Sequence, residues 1–246
     1  MTFLTIVLPA HNEELRITQA IHDLVNEFSD KCYSGVDIQI MVVENGSADN
    51  TAAVASQAAL HYLRDNNLYF TLETSPPGKG AAVRHGMKTA KGKYILVTDV
   101  DLSTPISEFA KLFNGLLDRQ ADIAIGSRRL PGSFVMGLTP GRRFTSWGFS
   151  LLSGLVAPGI KDTQCGFKLF KRQAARNIAD KITIDGFAYD VELLLVARKL
   201  NYKVIELPVI WVNDDRSTVR IIKDSARMAA DIFKIYSRRD TYNRVS

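Results

Sequence analysis

K-Y-I-L-V-T-D-V-D-L-S-T-P, residues 93–105, joins a short hydrophobic run to two closely spaced aspartates. The run Tyr94–Val97 is rich in aromatic and β-branched side chains, and it predicts a strand that is buried on both faces of a sheet. Asp99 and Asp101 follow directly, so we expect both at the carboxyl end of this strand. In open α/β sheets ligands bind at that end, because loops and helix N-termini meet there.

The spacing of the two aspartates suits a metal ion. In extended backbone, side chains two residues apart project to the same side, so both carboxylates would face one point. Two like charges held that close require a cation, and oxygen ligands favour Mg²⁺ or Mn²⁺, which usually bind substrate phosphates as well. The alternative is that Asp99 and Asp101 are ordinary loop acids, with Asp101 as a helix N-cap.

The composition is that of a folded domain with an anionic partner. The 246 residues are 46% hydrophobic, which is enough to bury a core, and residues 1–246 are expected to form one α/β domain. The net charge of +5 favours a nucleotide, a lipid phosphate, a membrane surface or a nucleic acid as partner. Charge alone does not choose among them.

Neither secretion nor membrane insertion is predicted. Cys32 and Cys165 are far apart and lack metal-ligand spacing, which favours a reducing compartment. The hydrophobic segment Phe3–Leu8 is too short for a signal peptide. The most apolar window, Phe144–Ile160, is interrupted by serines and a glycine and is short for a straight transmembrane helix. We therefore expect a protein that is soluble or peripheral to a membrane.

Strand and helix patterns alternate through the first half of the chain. The sequence predicts strands over 2–8, 36–43 and 68–72 before the strand at 94–97, and helices over 13–28, 51–63 and 81–90. Such alternation predicts a mostly parallel sheet with helices on both faces. Neither G-x-G-x-x-G nor G-x-x-x-x-G-K-[ST] occurs, so the chain has no dinucleotide fingerprint and no P-loop.

Six motifs in order resemble one enzyme family. They are P-A-H-N-E (9–13), V-E-N-G-S-A-D-N-T (43–51), G-K-G (78–80), D-V-D-L-S-T-P (99–105), G-S-R (126–128) and D-T-Q-C-G-F-K (162–168). Together they resemble the family 2 glycosyltransferases, whose GT-A fold is Rossmann-like with a mixed sheet. Within that family the chain is most similar to the polyprenyl-phosphate sugar transferases, which make dolichyl-phosphate glucose or mannose. The match extends from about Thr5 to Arg227.

The resemblance implies a nucleotide-sugar site. Its residues would be Pro9, His11, Glu13, Glu44, Lys79, Asp99 and Arg220. Many family members carry Asp-Asp where this chain has Glu44-Asn45, and Asp49 is better explained as a helix cap. Lys79 lies between two glycines, whose bare backbone would let it approach the base or the diphosphate. Alternatively, Lys79 is a solvated loop lysine and His11 is a plain turn residue.

The resemblance also implies a site for an acceptor phosphate. We assign Arg128, Arg142, Arg143 and Ser217 to it, while Arg220 would reach the diphosphate. Arginine suits this role because it binds phosphate oxygens through two parallel hydrogen bonds. The apolar segment 144–157 follows these arginines and could hold an isoprenoid tail. The alternatives are scattered surface arginines and an ordinary core helix over 144–157.

The catalytic residues implied by the resemblance are Asp99, Asp101, Arg128 and Asp190. In related transferases with hydroxyl acceptors, an aspartate near the position of Asp190 is the general base. A phosphate acceptor is already ionised at neutral pH and needs no base. Asp162, Asp190 and Glu192 could therefore orient other groups instead.

A basic amphipathic helix is predicted over about 219–238. On a helical projection Arg220, Lys223, Arg227, Lys234 and Arg238 share one face, opposite Ile221, Ser225, Met228, Ala229, Ile232 and Tyr236. Such a helix could rest on an anionic bilayer, which would place the protein peripherally at the cytoplasmic face of a membrane. The alternative is a solvated charged face above a stripe packed on the core. A nucleic-acid partner is disfavoured, because the basic residues are not interleaved with exposed aromatic residues and no binding motif is recognisable.

The function implied is a metal-dependent, inverting transfer of a sugar from a nucleotide diphosphate to a polyprenyl phosphate. The D-T-Q-C-G-F-K motif resembles the glucose branch, which favours UDP-glucose as donor, with GDP-mannose as the alternative. A saccharide acceptor would require Asp190 as base. A nucleotide-sugar binding module without catalysis is the non-enzymatic alternative. Sugar nucleotidyltransferases are excluded because their N-terminal glycine-rich motif is missing.

Overall fold

The computed structural model describes residues 1–63, 67–137, 154, 156–213 and 221–242, without the side chains of residues 31 and 221–226. The strands are β1 Leu4–Ala10, β2 Ile38–Glu44, β3 Leu68–Thr74, β4 Tyr94–Val97, β5 Ile123–Ser127, β6 Phe134–Met136, β7 Lys168–Lys171, β8 Val204–Pro208 and β9 Ile210–Val212. The helices are α1 Ile17–Phe28, α2 Thr51–Tyr62, α3 Lys79–Thr89, α4 Phe109–Asp118, α5 Arg172–Ala179, α6 Tyr189–Lys199 and α7 Ile221–Ser237.

Seven of the strands form one sheet in the order β3-β2-β1-β4-β7-β5-β8. Neighbouring strands are parallel, except that β7 runs antiparallel to both β4 and β5. Strands β6 and β9 pair in parallel as a separate two-stranded sheet. The predicted α/β fold with a mixed, mostly parallel sheet is confirmed.

Helices cover both faces of the large sheet, as the alternation predicts. On one face α1, α2 and α4 pack against side chains such as Leu4, Ile6 and Leu8 of β1. On the other face α3, α5 and α6 pack against side chains such as Val7 and Ile95. Each fully buried aliphatic side chain stabilises the fold by roughly 1.5–3 kcal/mol relative to exposure. This burial on both faces explains why the central strands are nearly continuous hydrophobic runs.

Pro9 does not end the first strand, contrary to the expected limit at residue 8. The carbonyl of Val7 accepts from Thr98 N–H beside β4, while the carbonyl of Ala10 accepts from Asn45 N–H beside β2. Because successive residues of a strand face opposite neighbours, Pro9 faces the β4 side. The β1–β4 ladder ends at the pair Val7 and Val97, so the missing N–H of Pro9 breaks no ladder bond.

Helix α1 begins at Ile17 rather than at Glu13. The intervening residues form a turn in which Asn12 has a φ of 55° and Arg16 N–H donates to the carbonyl of Glu13. The predicted apolar stripe is confirmed, since Ile17, Ile21, Leu24 and Phe28 are all buried. The turn places polar residues at the edge of the sheet instead of inside a helix.

Helix α7 agrees with the predicted basic helix in position but not fully in orientation. Met228 is half-buried and Ile232 is buried, as predicted, whereas Ala229 and Tyr236 are exposed. Ile235 is buried in their place, because the helix packs through a face centred on Ile232 and Ile235. No helix in the described part of the chain is both long enough and apolar enough to cross a bilayer.

The order of the strands creates a crevice between β1 and β4. Strands β2 and β3 lie on one side of this pair, and the later strands lie on the other. The chain leads from β1 to β2 on one side of this pair and from β4 toward β5 on the other, and open α/β sheets bind ligands at the carboxyl ends of the strands near such a reversal of strand order. Residues 11–16 and 98–103 flank the crevice.

A buried carboxylate ties the end of the described chain to the core. Glu192 of α6 is fully buried and accepts hydrogen bonds from the N–H groups of Thr183 and Ile184, each at 2.8 Å. It also accepts from the Thr183 hydroxyl at 3.0 Å and from the Tyr242 hydroxyl at 2.6 Å. Burial, followed by the hydrogen bond to Glu192, raises the pKa of Tyr242. Glu192 thus connects α6, the loop after α5 and the turn after α7.

We expect Tyr242→Phe to lower the free energy of unfolding by about 1.5–3 kcal/mol, because a buried carboxylate loses a charged hydrogen bond. The control is Tyr236→Phe, the same chemical change on a half-exposed ring of α7, which should change stability by less than about 0.5 kcal/mol. Urea unfolding of both variants measures the difference. Equal effects of the two substitutions would contradict the assigned role of Glu192.

Candidate active site

A cleft of about 350 Å³ opens at the carboxyl ends of the central strands. Residues from the loops after β1, β2, β3 and β4, from the segment before α6 and from α7 line it: Pro9, His11, Glu13, Arg16, Asn45, Pro77, Gly78, Lys79, Asp99, Val100, Asp101, Gly186, Phe187, Arg227, Met228 and Asp231. Pro9, His11, Glu13, Lys79, Asp99 and Asp101, predicted from separate motifs, therefore lie around one cleft.

Asp99 and Asp101 share this cleft because the chain turns as soon as β4 ends. Thr98 N–H still donates to β1, and Leu102 N–H then donates to the carbonyl of Asp99, which closes the turn. One carboxylate oxygen of Asp101 accepts from Ser103 N–H at 2.9 Å. Burial, and after it the charge of Asp99, raises the pKa of Asp101. The two acids are thus near enough to repel each other, but a turn brings them together and not the extended backbone that the sequence predicted.

Gly166 makes room for the Asp99 carboxylate. Strand β7 pairs Lys168 with Val97, and two further residues in this antiparallel register place Gly166 opposite Asp99. A Cβ atom on Gly166 would lie 2.3 Å from Asp99 Oδ2. A side chain at this position would push the Asp99 carboxylate away, so the glycine of the D-T-Q-C-G-F-K motif allows Asp99 its present position in the cleft.

Lys79 contacts Asp99 directly, with Nζ 2.6 Å from Oδ1. Although burial disfavours the ammonium, the carboxylate of Asp99 and then that of Asp190 raise the pKa of Lys79 to about 12. Conversely, the Lys79 ammonium lowers the pKa of Asp99 against the effect of burial. At neutral pH both members of this pair are charged.

The glycines beside Lys79 hold its backbone in place. Gly78 has a φ of 123°, and a Cβ atom there would lie 2.4 Å from the carbonyl oxygen of Asp185. Gly80 N–H donates to the same oxygen at 2.7 Å, and Arg84 forms an ion pair with the Asp185 side chain at 2.6 Å. The G-K-G motif is therefore required by close backbone packing against the segment before α6.

Lys168 and Asp190 form a buried ion pair behind the cleft, with Nζ 2.5 Å from Oδ1. Lys168 is 1% exposed and also donates to the carbonyl of Cys165. Burial raises the pKa of Asp190 and outweighs the opposing effect of the Lys168 charge. Asp190, predicted as catalytic, is not among the residues that line the cleft.

Arg128 is held by Asp162 and is not among the residues that line the cleft. Its Nε and Nη2 donate to the two oxygens of Asp162 at 2.7 and 2.8 Å, and its backbone N–H donates at 2.9 Å. The guanidinium also lies over the Trp211 ring, 5.5 Å from its centroid. Burial acts to raise the pKa of Asp162, but the hydrogen bond from Arg128 outweighs it and lowers this pKa. Burial likewise acts to lower the pKa of Arg128, and the hydrogen bond to Asp162 raises it. Arg128 therefore keeps a fixed position.

Glu13 and Glu44, the two acids predicted for the nucleotide-sugar site besides Asp99, differ in their placement. Glu13 lines the cleft, where Arg16 Nε and Nη2 donate to its carboxylate at 2.6 and 2.8 Å. Burial raises the pKa of Glu13 more than Arg16 lowers it. Glu44 instead accepts from Ser47 N–H in the turn after β2 and is not among the residues that line the cleft.

Several residues of the cleft were not predicted. Asn45 donates to the carbonyl of Ala10 at 2.8 Å and accepts from Gly78 N–H at 3.3 Å, so it joins two loops. Its place directly after Glu44, where many family members carry a second aspartate, is the feature of the sequence that could have identified it. Arg16, Phe187 and Asp231 also line the cleft, and no motif marked them. The predicted residues Arg142, Arg143, Ser217 and Arg220, and most of segment 144–157, lie outside the described residues.

The cleft fits a divalent ion that is bridged by a ligand. Among the described residues no cluster of three or more histidines, cysteines or acids could hold a metal by itself. Asp99 and Asp101 supply two carboxylates beside an open cleft. Mg²⁺ usually binds through one or two carboxylates, waters and substrate phosphates, so this donor set suits an ion that arrives with a polyphosphate.

Three comparisons relate the chain to known proteins. Residues 5–179 match the model of the family described as Glycosyl transferase family 2. The dolichyl-phosphate beta-glucosyltransferase of Dictyostelium discoideum is 31% identical over 241 residues, which covers 95% of this chain and 73% of that protein. The mouse (Mus musculus) protein of the same name is 34% identical over 241 residues, which covers 94% of this chain and 74% of that protein.

A solved structure shares the fold at lower sequence identity. It is the Mycobacterium tuberculosis glucosyl-3-phosphoglycerate synthase in complex with Mn²⁺, UDP and glucosyl-3-phosphoglycerate. Its TM-score is 0.69 at 17% identity, and the alignment covers 99% of this chain and 82% of that one. This likeness shows that the two chains have the same fold.

We expect Asp162→Asn to lower the free energy of unfolding at pH 7 by about 3 kcal/mol, because Arg128 would remain mostly buried without its counter-ion. A carboxyl whose pKa is lowered in the folded state stabilises the protein above its unfolded pKa of about 3.9. This contribution is lost as the pH falls through the lower folded value. The difference between wild type and variant should therefore be constant above about pH 5 and shrink below about pH 4.

Urea unfolding at a series of pH values measures this difference. The control is Asp118→Asn, because Asp118 is an exposed acid at the end of α4, and its effect should stay within about 0.5 kcal/mol at pH 7. A difference between wild type and Asp162→Asn that stays the same down to pH 2 would contradict the assigned ion pair.

Proposed function

Because the chain belongs to glycosyl transferase family 2, we propose that it transfers glucose from UDP-glucose to a polyprenyl phosphate such as dolichyl phosphate, with inversion at the anomeric carbon. The chain is a nucleotide-sugar-dependent glycosyltransferase with the GT-A fold. The observation that carries the proposal is the pair Asp99 and Asp101, which lies with Lys79 in the cleft at the end of β4. Residues 1–246 would form one catalytic domain, which the single large sheet supports.

Asp99 and Asp101 would hold a divalent ion, Mg²⁺ or Mn²⁺. The related M. tuberculosis structure contains Mn²⁺ together with UDP, which supports this assignment. When bound, such an ion acts as a Lewis acid that neutralises charge on the departing diphosphate. Gly166 contributes by leaving room for the Asp99 carboxylate.

The remaining residues of the cleft would bind and orient the nucleotide sugar. Pro9, His11 and Glu13 form the wall after β1, and Arg16 neutralises Glu13 so that the wall does not repel an anion. Lys79 and Arg227 bring positive charge to the same space. Together these groups would hold the donor in one orientation, which lowers the barrier by removing its freedom of motion.

The acceptor phosphate would meet the arginines that follow β5. Asp162 fixes Arg128 through two hydrogen bonds, so the guanidinium is already oriented before the acceptor binds. Arg142, Arg143 and Ser217 remain predicted members of this site, and Arg220 a predicted contact of the diphosphate. An arginine held in place loses less entropy when it binds phosphate, which suits in-line attack by the phosphate oxygen.

The buried pair of Asp190 and Lys168 favours a phosphate acceptor over a hydroxyl acceptor. Asp190 is 5% exposed and its carboxylate already holds the Lys168 ammonium. A general base must reach the proton that it removes, whereas a phosphate acceptor is ionised beforehand. Asp190 would therefore neutralise Lys168 and position the strand that carries it.

The choice of glucose rests on the relatives. Two proteins that are 31% and 34% identical to this chain are named dolichyl-phosphate beta-glucosyltransferases. Both alignments cover more than nine-tenths of this chain. Transfer from GDP-mannose is the competing outcome of the assay below.

Helix α7 supports a place at the cytoplasmic face of a membrane. Phe233 on its outer side is 74% exposed, and Lys234 and Arg238 are exposed as well. A helix with exposed aromatic and basic side chains can bind an anionic lipid surface. Cys32 and Cys165 are both free thiols, which fits a reducing compartment.

The proposal is tested with UDP-glucose and GDP-mannose, a short polyprenyl phosphate and either Mg²⁺ or Mn²⁺, with mass spectrometry of the lipid product. We expect lipid-linked hexose from UDP-glucose, and a loss of about 100-fold or more in turnover for Asp101→Asn. The exposed control Asp118→Asn should keep full activity. Near-normal turnover of Asp101→Asn with unchanged metal dependence would contradict the assignment, and product from GDP-mannose alone would contradict glucose.

Asp190 is either the counter-ion of Lys168 or a general base, and substitutions distinguish these two roles. Asp190→Asn should lose stability, because it leaves Lys168 buried without a counter-ion. The double variant Lys168→Met with Asp190→Asn should recover stability, because no unpaired charge stays buried. Removal of a general base lowers turnover by roughly 10²- to 10⁴-fold, and the double variant should lose less than this. Thermal unfolding and transfer assays on both variants measure this. A stable double variant without activity would indicate that Asp190 is the base.

A further inference from the structure

Lys79 lies where a cation that neutralises Asp99 would lie. Its Nζ is 2.6 Å from Asp99 Oδ1, and both side chains are partly open to the cleft, with exposures of 24% and 34%. The same carboxylate is one of the two that would bind the divalent ion. An ammonium and a divalent ion on the same carboxylate repel each other, so each weakens the binding of the other at Asp99.

The surrounding charges leave Lys79 as the cation that can move. Three carboxylates, those of Asp99, Asp101 and Asp190, face the ammonium groups of Lys79 and Lys168. Lys168 is 1% exposed and held by Asp190 and the carbonyl of Cys165. Lys168 is therefore fixed by its burial, whereas Lys79 lines the open cleft.

The backbone of Lys79 is held in place, whereas the end of its side chain lies in the open cleft. Gly80 N–H donates to the Asp185 carbonyl, and the close packing of Gly78 and Gly80 against residues 184–185 leaves no space for the loop to shift. The ammonium stands at the end of a flexible four-carbon chain. It can therefore leave Asp99 for another anion in the cleft while the loop stays in place.

We propose that Lys79 is an internal counter-ion that keeps the divalent ion from Asp99 until a nucleoside diphosphate enters the cleft and draws the ammonium to its own phosphate oxygens. This inference rests on the proposed function, since it takes the ligand to be a nucleoside diphosphate. Lys79 would be a positioning residue for the metal and a binding residue for the nucleotide. Metal and nucleotide then bind with positive coupling, and each strengthens the binding of the other by the same factor.

The test measures Mn²⁺ binding instead of turnover. Isothermal titration at pH 8 gives the Kd for Mn²⁺ of the wild type, Lys79→Met and Lys88→Met, each with and without UDP. Lys88 is the matched control, because it lies on the same helix and its ion pair with Asp180, at 3.0 Å, is on the surface. Circular dichroism and thermal unfolding establish that each variant is folded.

Without UDP, Lys79→Met should bind Mn²⁺ about 5- to 150-fold more tightly than the wild type, which is the usual range of coupling between sites. The factor by which UDP strengthens Mn²⁺ binding should fall by the same amount, and Lys88→Met should behave as the wild type does. Lys79→Arg, which keeps the charge, should retain the weak nucleotide-free binding. If Lys79→Met does not fold, Lys79→Gln is measured in its place.

Two failures can be told apart. If UDP neither binds to the wild type nor strengthens its Mn²⁺ binding, the proposed function is wrong. If UDP strengthens Mn²⁺ binding in the wild type, but folded Lys79→Met shows the same nucleotide-free Kd and the same coupling, the role of Lys79 is wrong while the proposed function stands.

Discussion

Negative charge gathered at the end of one buried strand is the constraint on which the rest of the site depends. Asp99 and Asp101 follow β4 directly, and both face a cleft in which burial penalises their ionised forms. Charges in such a place persist only if cations compensate them. The protein supplies Lys79 at Asp99, and it pairs the neighbouring buried acids Asp190 and Asp162 with Lys168 and Arg128. Asp101 forms no ion pair among the described residues, although the nearby charge of Lys79 acts to lower its pKa.

The antiparallel strand β7 explains how these partners reach the site. It lies between β4 and β5, and its register with β4 brings Gly166 against Asp99 and Lys168 beneath the cleft. The D-T-Q-C-G-F-K motif leads into this strand, so its residues act together: Asp162 orients Arg128, and Lys168 neutralises Asp190. A parallel strand here would need a long crossover connection and could not present the loop before β7 to the end of β4. The antiparallel direction of β7 therefore brings Gly166 and Lys168 to the cleft.

The far wall of the cleft depends on a different buried acid. Glu192 holds the segment 183–184, and the next residues pack against the G-K-G loop that carries Lys79. The hydroxyl of Tyr242 also donates to Glu192 and so connects the turn after α7 to this segment. Arg227 and Asp231 of α7 line the same cleft. Because four donors share one carboxylate, the loop, α6 and α7 are linked on the side of the cleft opposite β1. This linkage explains how residues more than 100 positions apart in sequence line one space.

The alternation of strands and helices, the two-sided burial of β4 and the acids at its end were all predictable from sequence, because each depends on local periodicity or on neighbouring residues. The placement of Pro9, His11, Glu13, Lys79 and the two aspartates at one edge followed from the rule that parallel strands bring their carboxyl ends together. Local patterns could not reveal that Asp162 would hold Arg128, that Lys168 would hold Asp190, or that Glu44 would serve a turn while Asn45 lined the cleft. They also misplaced the packed face of α7, which centres on Ile232 and Ile235. Only the tertiary structure decided these points, because the partner of a buried charge and the packed face of a helix depend on residues that are distant in sequence and meet only in the folded chain.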